Sequence, residues 1–477
     1  MSTTDLAYLS AADALKAFRD RTLSPVELMA AVIDRAQAVN GTVNAFADTY
    51  FEEALAKARE AEARYRGKGE PPRPLEGVPL AVKDAQRLKG KRTTHGSLIF
   101  ANSVDEESDP MIERLLDAGA IVHARTTAPE FCLSGITTSR LWGVTRNPHN
   151  PDYGPGGSSG GAGAAVAAGM TTLATGTDIG GSIRIPASAC GIVGYKPPHG
   201  RNPDGPPANF DRYNHCGPMT RTVTDAALMQ NVTSGPHPLD HDSLRERVTL
   251  PLEPSPARGL RVAYSIDLGY MVIDEHVRAN ALAAVAALKE AGVAVEEVNL
   301  GWSGDIERDV IHWYNTMHFG RQTIWQRERH ADVMTESALK YAEAAERTTT
   351  IDDVHKAWER AHRMYQTLGP ILARCDALIC PTLAVPAVKA EHNPVDPDFR
   401  INGVRVDPEW GWCLTHQFNM LHNCPVLAVP SGRAPSGVPT GIQIVGRTFD
   451  DATVFRLGRA LEIARPDWFV SAAHHPL

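Results

Sequence analysis

The chain has no apolar run near the about 18 residues that a membrane-crossing helix needs, so the sequence offers no span. Its opening residues, Met1-Ser2-Thr3-Thr4-Asp5, carry neither the basic nor the apolar stretch of a secretory leader. Paired cysteines are missing too. The seven present, Cys132, Cys190, Cys216, Cys375, Cys380, Cys413 and Cys424, are odd in number and include no C-x-x-C. That argues against a disulfide or zinc framework and points to reduced thiols in the cytoplasm. No H-E-x-x-H occurs among 18 scattered histidines, so no metal is expected. Neither G-x-x-x-x-G-K-[ST] nor G-x-G-x-x-G is found, which removes the usual nucleotide cradles, and no cofactor is expected. Positive charge is in deficit, 48 Lys and Arg against 56 Asp and Glu, a net −8. This balance disfavours nucleic acid or an anionic membrane as the main partner. Internal repeats and low-complexity tails are also absent.

What remains is ordinary for a globular chain: 477 residues, 43% hydrophobic and 22% charged. That length easily buries a large core. Residues 1–70 read as a helical scaffold. Ser10 caps a helix over 11–21, and Ser24-Pro25-Val26-Glu27 is a capping box opening a helix to about 39. A third, alanine- and charge-rich helix spans about 49–66. Short buried strands follow at 80–82 and 121–124, separated by a helix at 109–117. Residues 260–264, 274–290 and 293–298 read as one strand–helix–strand unit, which favours a mainly parallel sheet. Residues 302–370 are mainly helical and hold Trp302, Trp313, Tyr314, Phe319, Trp325, Tyr341, Trp358 and Tyr365. They serve either as helix core or as an aromatic wall over a site. Further strands are read at 377–382, 425–430 and 441–446, with a closing helix at 452–465.

Residues 154–197 are the most unusual stretch. Gly154-Pro155-Gly156-Gly157-Ser158-Ser159-Gly160-Gly161 precedes an alanine-rich run, and Gly176-Thr177-Asp178-Ile179-Gly180-Gly181-Ser182-Ile183-Arg184 follows it. Two Gly-Gly-Ser turns thus flank one buried helix and one short strand at 173–175. Successive N–H groups in such a turn can converge on one point and bind an oxyanion. A serine hydroxyl is a poor nucleophile at neutral pH and needs a base. Lys83, ending the apolar run Gly77-Val78-Pro79-Leu80-Ala81-Val82-Lys83-Asp84, is a candidate if burial keeps it neutral. Asp84 is adjacent, but neighbours on an extended segment point apart.

These motifs resemble the amidase signature family of serine hydrolases, over about residues 5–465. The resemblance implies a single domain over 1–477, with a catalytic core at 77–230, and an α/β fold: a mixed, mostly parallel central sheet covered by helices on both faces. It implies Ser182 as nucleophile, Ser158 as a bridging serine after a cis Gly157–Ser158 bond, and Lys83 as base. Main-chain N–H groups of Ile179, Gly180, Gly181 and Ser182 would form the oxyanion hole, with Gly157, Ser159, Asp178 and Arg184 in support. The expected partner is a small-molecule amide, carbamate (urethane) or ester; a homodimer is left open. Two rivals stand beside this. A nucleophile elbow, G-x-S-x-G at 156–160 or 157–161, would recruit partners such as Asp376 and His416. The amidase component of a glutamyl- or aspartyl-tRNA amidotransferase complex would share every motif. Against the latter, residues 208–216 replace a serine- and aspartate-containing segment, and Ile179 stands where threonine is expected.

Overall fold

The computed structural model describes residues 2–348 and 350–477. One eleven-stranded sheet runs through it. In chain order its strands are β1 (Phe46–Thr49), β2 (Pro79–Lys83), β3 (Ile121–Thr126), β4 (Leu173–Asp178), β5 (Val193–Lys196), β6 (His215–Thr220), β7 (Arg261–Tyr264), β8 (Ala294–Glu297), β9 (Ala377–Pro381), β10 (Val426–Arg433) and β11 (Pro439–Gly446). Across the sheet the order is β1-β3-β2-β4-β6-β5-β10-β11-β9-β7-β8.

The sheet is mixed, as expected, but its parallel share is smaller than expected: four pairings are parallel and six antiparallel. The cause lies in the connections. Parallel neighbours need a crossover, usually a helix. Such crossovers occur in two blocks. Helices Pro110–Asp117 and Gly160–Ala167 lead into β3 and β4, and helices Glu275–Glu290 and Ile351–Arg374 lead into β8 and β9. Between the blocks, β6, β5, β10 and β11 pair antiparallel. Strands β1, β5 and β6 are too short or too glycine- and proline-rich to read from periodicity. β1 also interrupts the helical scaffold expected over 1–70, so the third helix starts at Phe51.

Alternation along the strands shows that both faces are covered. On β2, Leu80 and Val82 pack with Leu15, Leu28, Met111 and Leu115, whereas Ala81 packs with the alanines of helix Gly160–Ala167. That helix is wholly buried. Its glycines are needed for close approach. A Cβ on Gly161 would collide with the Thr127 nitrogen, and one on Gly163 would lie 2.9 Å from Pro186 Cβ. The capping box at Ser24 forms as read, with the Ser24 N–H donating to Glu27. Residues 302–370 are mainly helical, residue 349 lying outside the described residues: Asp305–Trp313, a π-helical turn at Tyr314–His318, Phe319–His330, Glu336–Thr348 and the start of Ile351–Arg374. Among the described residues no helix is long and apolar enough to cross a membrane.

Candidate active site

Side chains two apart on a strand share a face, so Lys83 follows Ala81 toward the turn that opens helix Gly160–Ala167. Its Nζ donates to Ser158 Oγ at 2.7 Å and to Thr177 Oγ1 at 2.7 Å. Lys83 is fully buried. Burial drives its pKa below the ordinary lysine value, and the neighbouring Cys132, Asp178 and Asp84 offset this only in part. Asp84 does point elsewhere. It accepts from the Thr94 N–H at 2.7 Å and from Trp142 Nε1 at 3.0 Å.

Ser158 is set by the glycines before it. The Gly157–Ser158 peptide is cis. Gly157 packs so tightly on the next loop that a Cβ would sit 2.5 Å from the Ile136 oxygen. Ser159 Oγ donates to the Thr177 carbonyl and accepts from the Thr177 N–H, both at 3.3 Å. Its backbone N–H donates to the Ser182 carbonyl at 3.2 Å. The two serine turns are thus joined through main chain. The Ser158 and Ser182 hydroxyls do not hydrogen-bond directly among the described residues.

The turn from Asp178 to Ser182 is organised by what holds its carbonyls. In a trans peptide the C=O and the next N–H point opposite ways. Asn419 Nδ2 donates to the Asp178 carbonyl at 3.0 Å, Tyr314 Oη to that of Ile179 at 2.8 Å, and the Ile185 N–H to that of Gly181 at 2.7 Å. The N–H groups of Ile179, Gly180 and Ser182 therefore face the other way, and none has an acceptor among the described residues. Gly181 departs from the sequence-based expectation. Its N–H donates to Asp178 Oδ1 at 2.9 Å, and Thr415 Oγ1 donates to the preceding Gly180 carbonyl at 2.6 Å. Gly181 has φ +124°, and a Cβ there would collide with Thr415 Oγ1. Ser182 itself is 7% exposed, at the edge of the buried region.

Behind the turn lies a buried ion pair. Arg184 Nη2 donates to Asp178 Oδ1 at 2.8 Å and Nε to Oδ2 at 2.9 Å, and both residues are fully buried. Burial alone would raise the Asp178 carboxyl, but Arg184 and Asn419 hold it below the ordinary carboxylate range. Arg184 also reaches the Thr415 carbonyl, Gln443 Oε1 and Asn419 Oδ1. Two rings pack against the turn. A Cβ on Gly180 would meet Trp410 at 2.9 Å and Tyr314 Oη at 3.2 Å, and the two ring centroids are 5.4 Å apart.

The chain therefore brings Lys83, Ser158 and the 178–184 turn together. Of the aromatic residues in 302–370, only Tyr314 is seen against the turn among the described residues. Trp325 is 62% exposed and Trp302 packs on Phe418. Sequence reasoning does not single out Thr177, Cys132, Trp410, Thr415 or Asn419 as site residues. Thr177 alone carries a usable signal, since it lies on the strand beside β2 with its neighbour Thr175, which accepts from the Lys83 N–H at 3.2 Å. The partners of the alternative nucleophile elbow do not converge. Asp376 is taken by Arg447 at 2.9 Å and the Arg261 N–H at 2.8 Å. Neither ring nitrogen of His416 has a partner among the described residues.

Comparison with known proteins gives a consistent picture. The family model described as Amidase matches residues 27–455. An acylamidase of Rhodococcus erythropolis is 34% identical, with 98% of this chain and 97% of that one covered. One component chain of the glutamyl-tRNA(Gln) amidotransferase of Geobacillus kaustophilus is 32% identical over 90% of this chain and 92% of its own. A solved bacterial aryl acylamidase of the amidase signature family superposes with a TM-score of 0.89 at 28% identity, covering 98% of this chain and 99% of the other. By sequence and by architecture alike, the chain belongs to the amidase signature family of hydrolases.

Proposed function

We propose that this protein is a stand-alone cytoplasmic amidase, built as one catalytic unit, that cleaves bulky or aryl amides through an acyl-enzyme on Ser182. The observation that carries this is the 2.7 Å contact between the buried Lys83 amine and Ser158, beside a serine turn with three unpaired N–H groups. Ser182 Oγ attacks the carbonyl carbon. Its proton passes to Ser158, whose own proton passes to Lys83. The direct serine–serine hydrogen bond forms only in the complex with substrate, where catalytic contacts close up. The oxyanion is met by the N–H groups of Ile179, Gly180 and Ser182, each donor worth ~3 kcal/mol. The relay returns a proton to the leaving nitrogen, so an amine departs. Water then cleaves the acyl-enzyme by the same steps in reverse. In the neutral amine Thr177 accepts one Lys83 N–H, and the 2.7 Å contact with Ser158 reverses its sense, the Ser158 O–H donating to the nitrogen lone pair.

Tyr314 holds the turn from its carbonyl side with Trp410 packed against it, so the two rings buttress the N–H donors. The likeness to an acylamidase and to an aryl acylamidase supports the preference for bulky or aryl amides. Aryl esters and carbamates carry the same carbonyl and fit the same chemistry. The test is a panel of acetamide, acyl anilides, aryl esters and aryl carbamates, with Ser182→Ala as control. Anilide turnover that vanishes in the variant is expected; acetamide turnover with inert anilides would refute the aryl preference. The amidotransferase chains among the relatives give a second reading. Glutaminase activity that appears only with a partner protein would favour it over the first.

A further inference from the structure

A second cleft lies away from Lys83, Ser158 and the serine turn, none of which lines it. Its volume is ≈ 190 Å³, and its walls include Arg212, Tyr213, Trp313, Trp358, Tyr365 and His422. An apolar cavity of about 150 Å³ already admits a benzene ring. Tyr213 and Trp313 form a stacked floor, centroids 4.4 Å apart and 26° from parallel, pinned by Trp313 Nε1 donating to Asp211. Trp358 leans against Trp313 at 6.1 Å yet is 50% exposed, and Tyr365 is 38% exposed. Large rings left in water around a recess mark a binding surface.

The polar groups of this cleft are short of acceptors. Tyr213 is 1% exposed, and its buried hydroxyl has no hydrogen-bond partner among the described residues. A buried phenol ordinarily finds one. Arg212 lines the same cleft, is exposed, and has no carboxylate partner among the described residues. An exposed guanidinium beside a recess walled by exposed rings matches one ligand chemistry. The Trp358 and Tyr365 rings take a planar apolar body, and Arg212 takes a carboxylate, which it grips in a fork.

We propose that the cleft between Arg212–Tyr213 and helix Ile351–Arg374 is a second ligand site, separate from the serine turn, that binds an aromatic carboxylate. The site does not rest on the reading of the catalytic centre. It does share a wall with it: the Tyr213 carbonyl accepts from Asn419, which also holds Asp178.

The test is calorimetric titration of the full-length Ser182→Ala chain with benzoate, benzamide and cyclohexanecarboxylate. Benzoate should bind at one equivalent, and the other two at least 10-fold more weakly. Trp358→Ala and Arg212→Gln change exposed side chains and leave the core intact. Each should weaken benzoate at least 10-fold, and Arg212→Gln should leave benzamide unchanged. Equal binding of benzoate and benzamide would overturn the anion assignment. Benzoate affinity untouched by both substitutions, with purely competitive inhibition of hydrolysis by the parent enzyme, would place the ligand at Ser182 and overturn the site. Concentration-dependent dimerisation that Trp358→Ala abolishes would reassign the face to a second copy of the chain and overturn it as well.

Discussion

Lys83, like Lys196, is a fully buried lysine with no carboxylate partner among the described residues, and its contact with Ser158 defines what can be measured. Lys83 must shed its proton to act as base, and burial makes that easier. The rate should therefore rise with pH along a limb whose midpoint lies below the ordinary lysine value of about 10.4. A kcat/KM profile for an anilide will show it. Lys83→Ala should lower kcat by about 10⁴-fold or more, as loss of one member of a coupled set does, and should erase that limb. A variant that kept the same acid limb would locate the titrating group elsewhere. Ser158, Ser182 and Lys83 stand out in the sequence because their glycine-rich turns and apolar strand end are local motifs, and their expected roles come from the resemblance those motifs carry. Thr177 is harder, because a threonine on a strand looks like any strand threonine until the neighbouring strand is known.

At the scale of elements, the turn after β4 is shaped by residues far from it in the chain. Tyr314 donates to it from 135 residues away, Thr415 from 235 and Asn419 from 241. Helical and strand periodicity carry no record of such distances, so these tethers are invisible in the sequence. Tyr314→Phe should release the Ile179 carbonyl and loosen the Gly180 donor. A drop in kcat of about 10-fold with KM changed less is expected, since one neutral hydrogen bond is worth about 1 kcal/mol or a little more. Gly181→Ala should be far worse: the new methyl would collide with Thr415 at a backbone angle that alanine disfavours. Loss of kcat by about 10² or more is expected, the size of a lost oxyanion donor. Unaltered turnover in this variant would mean that the turn does not hold the oxyanion. The long helices and the apolar strands are readable, since capping boxes and apolar stripes are local. β1, β5 and β6 are not, because their few residues obey partners across the sheet more than their own propensities.

At the scale of the whole molecule, the Arg184–Asp178 pair ties the serine turn to β11 through Gln443 and to the segment after Cys413 through Thr415. Replacing one member of a buried pair strands the other charge, typically at about 3–5 kcal/mol. Asp178→Asn should lose about that much in urea unfolding at neutral pH. The pH dependence follows in sign. The folded carboxyl titrates below its unfolded value of 3.8, so its contribution is complete above that value and disappears as pH falls through the folded pKa. The parent should therefore lose stability below about pH 4 more steeply than the variant. Parallel acid limbs in the two proteins would remove the pair from the account. The balance of parallel and antiparallel pairings belongs to this scale too. It depends on which strands meet after long connections, and a strand–helix–strand unit read locally over-weights the parallel kind.

Three of the anchors that orient the serine turn lie more than a hundred residues downstream of it, in the second half of the chain. Hydrolytic competence is thus a property of the finished molecule rather than of its most recognisable stretch. On dilution from denaturant, helix content should return before turnover does. A polypeptide ending before Tyr314 would keep every motif residue and still be inert.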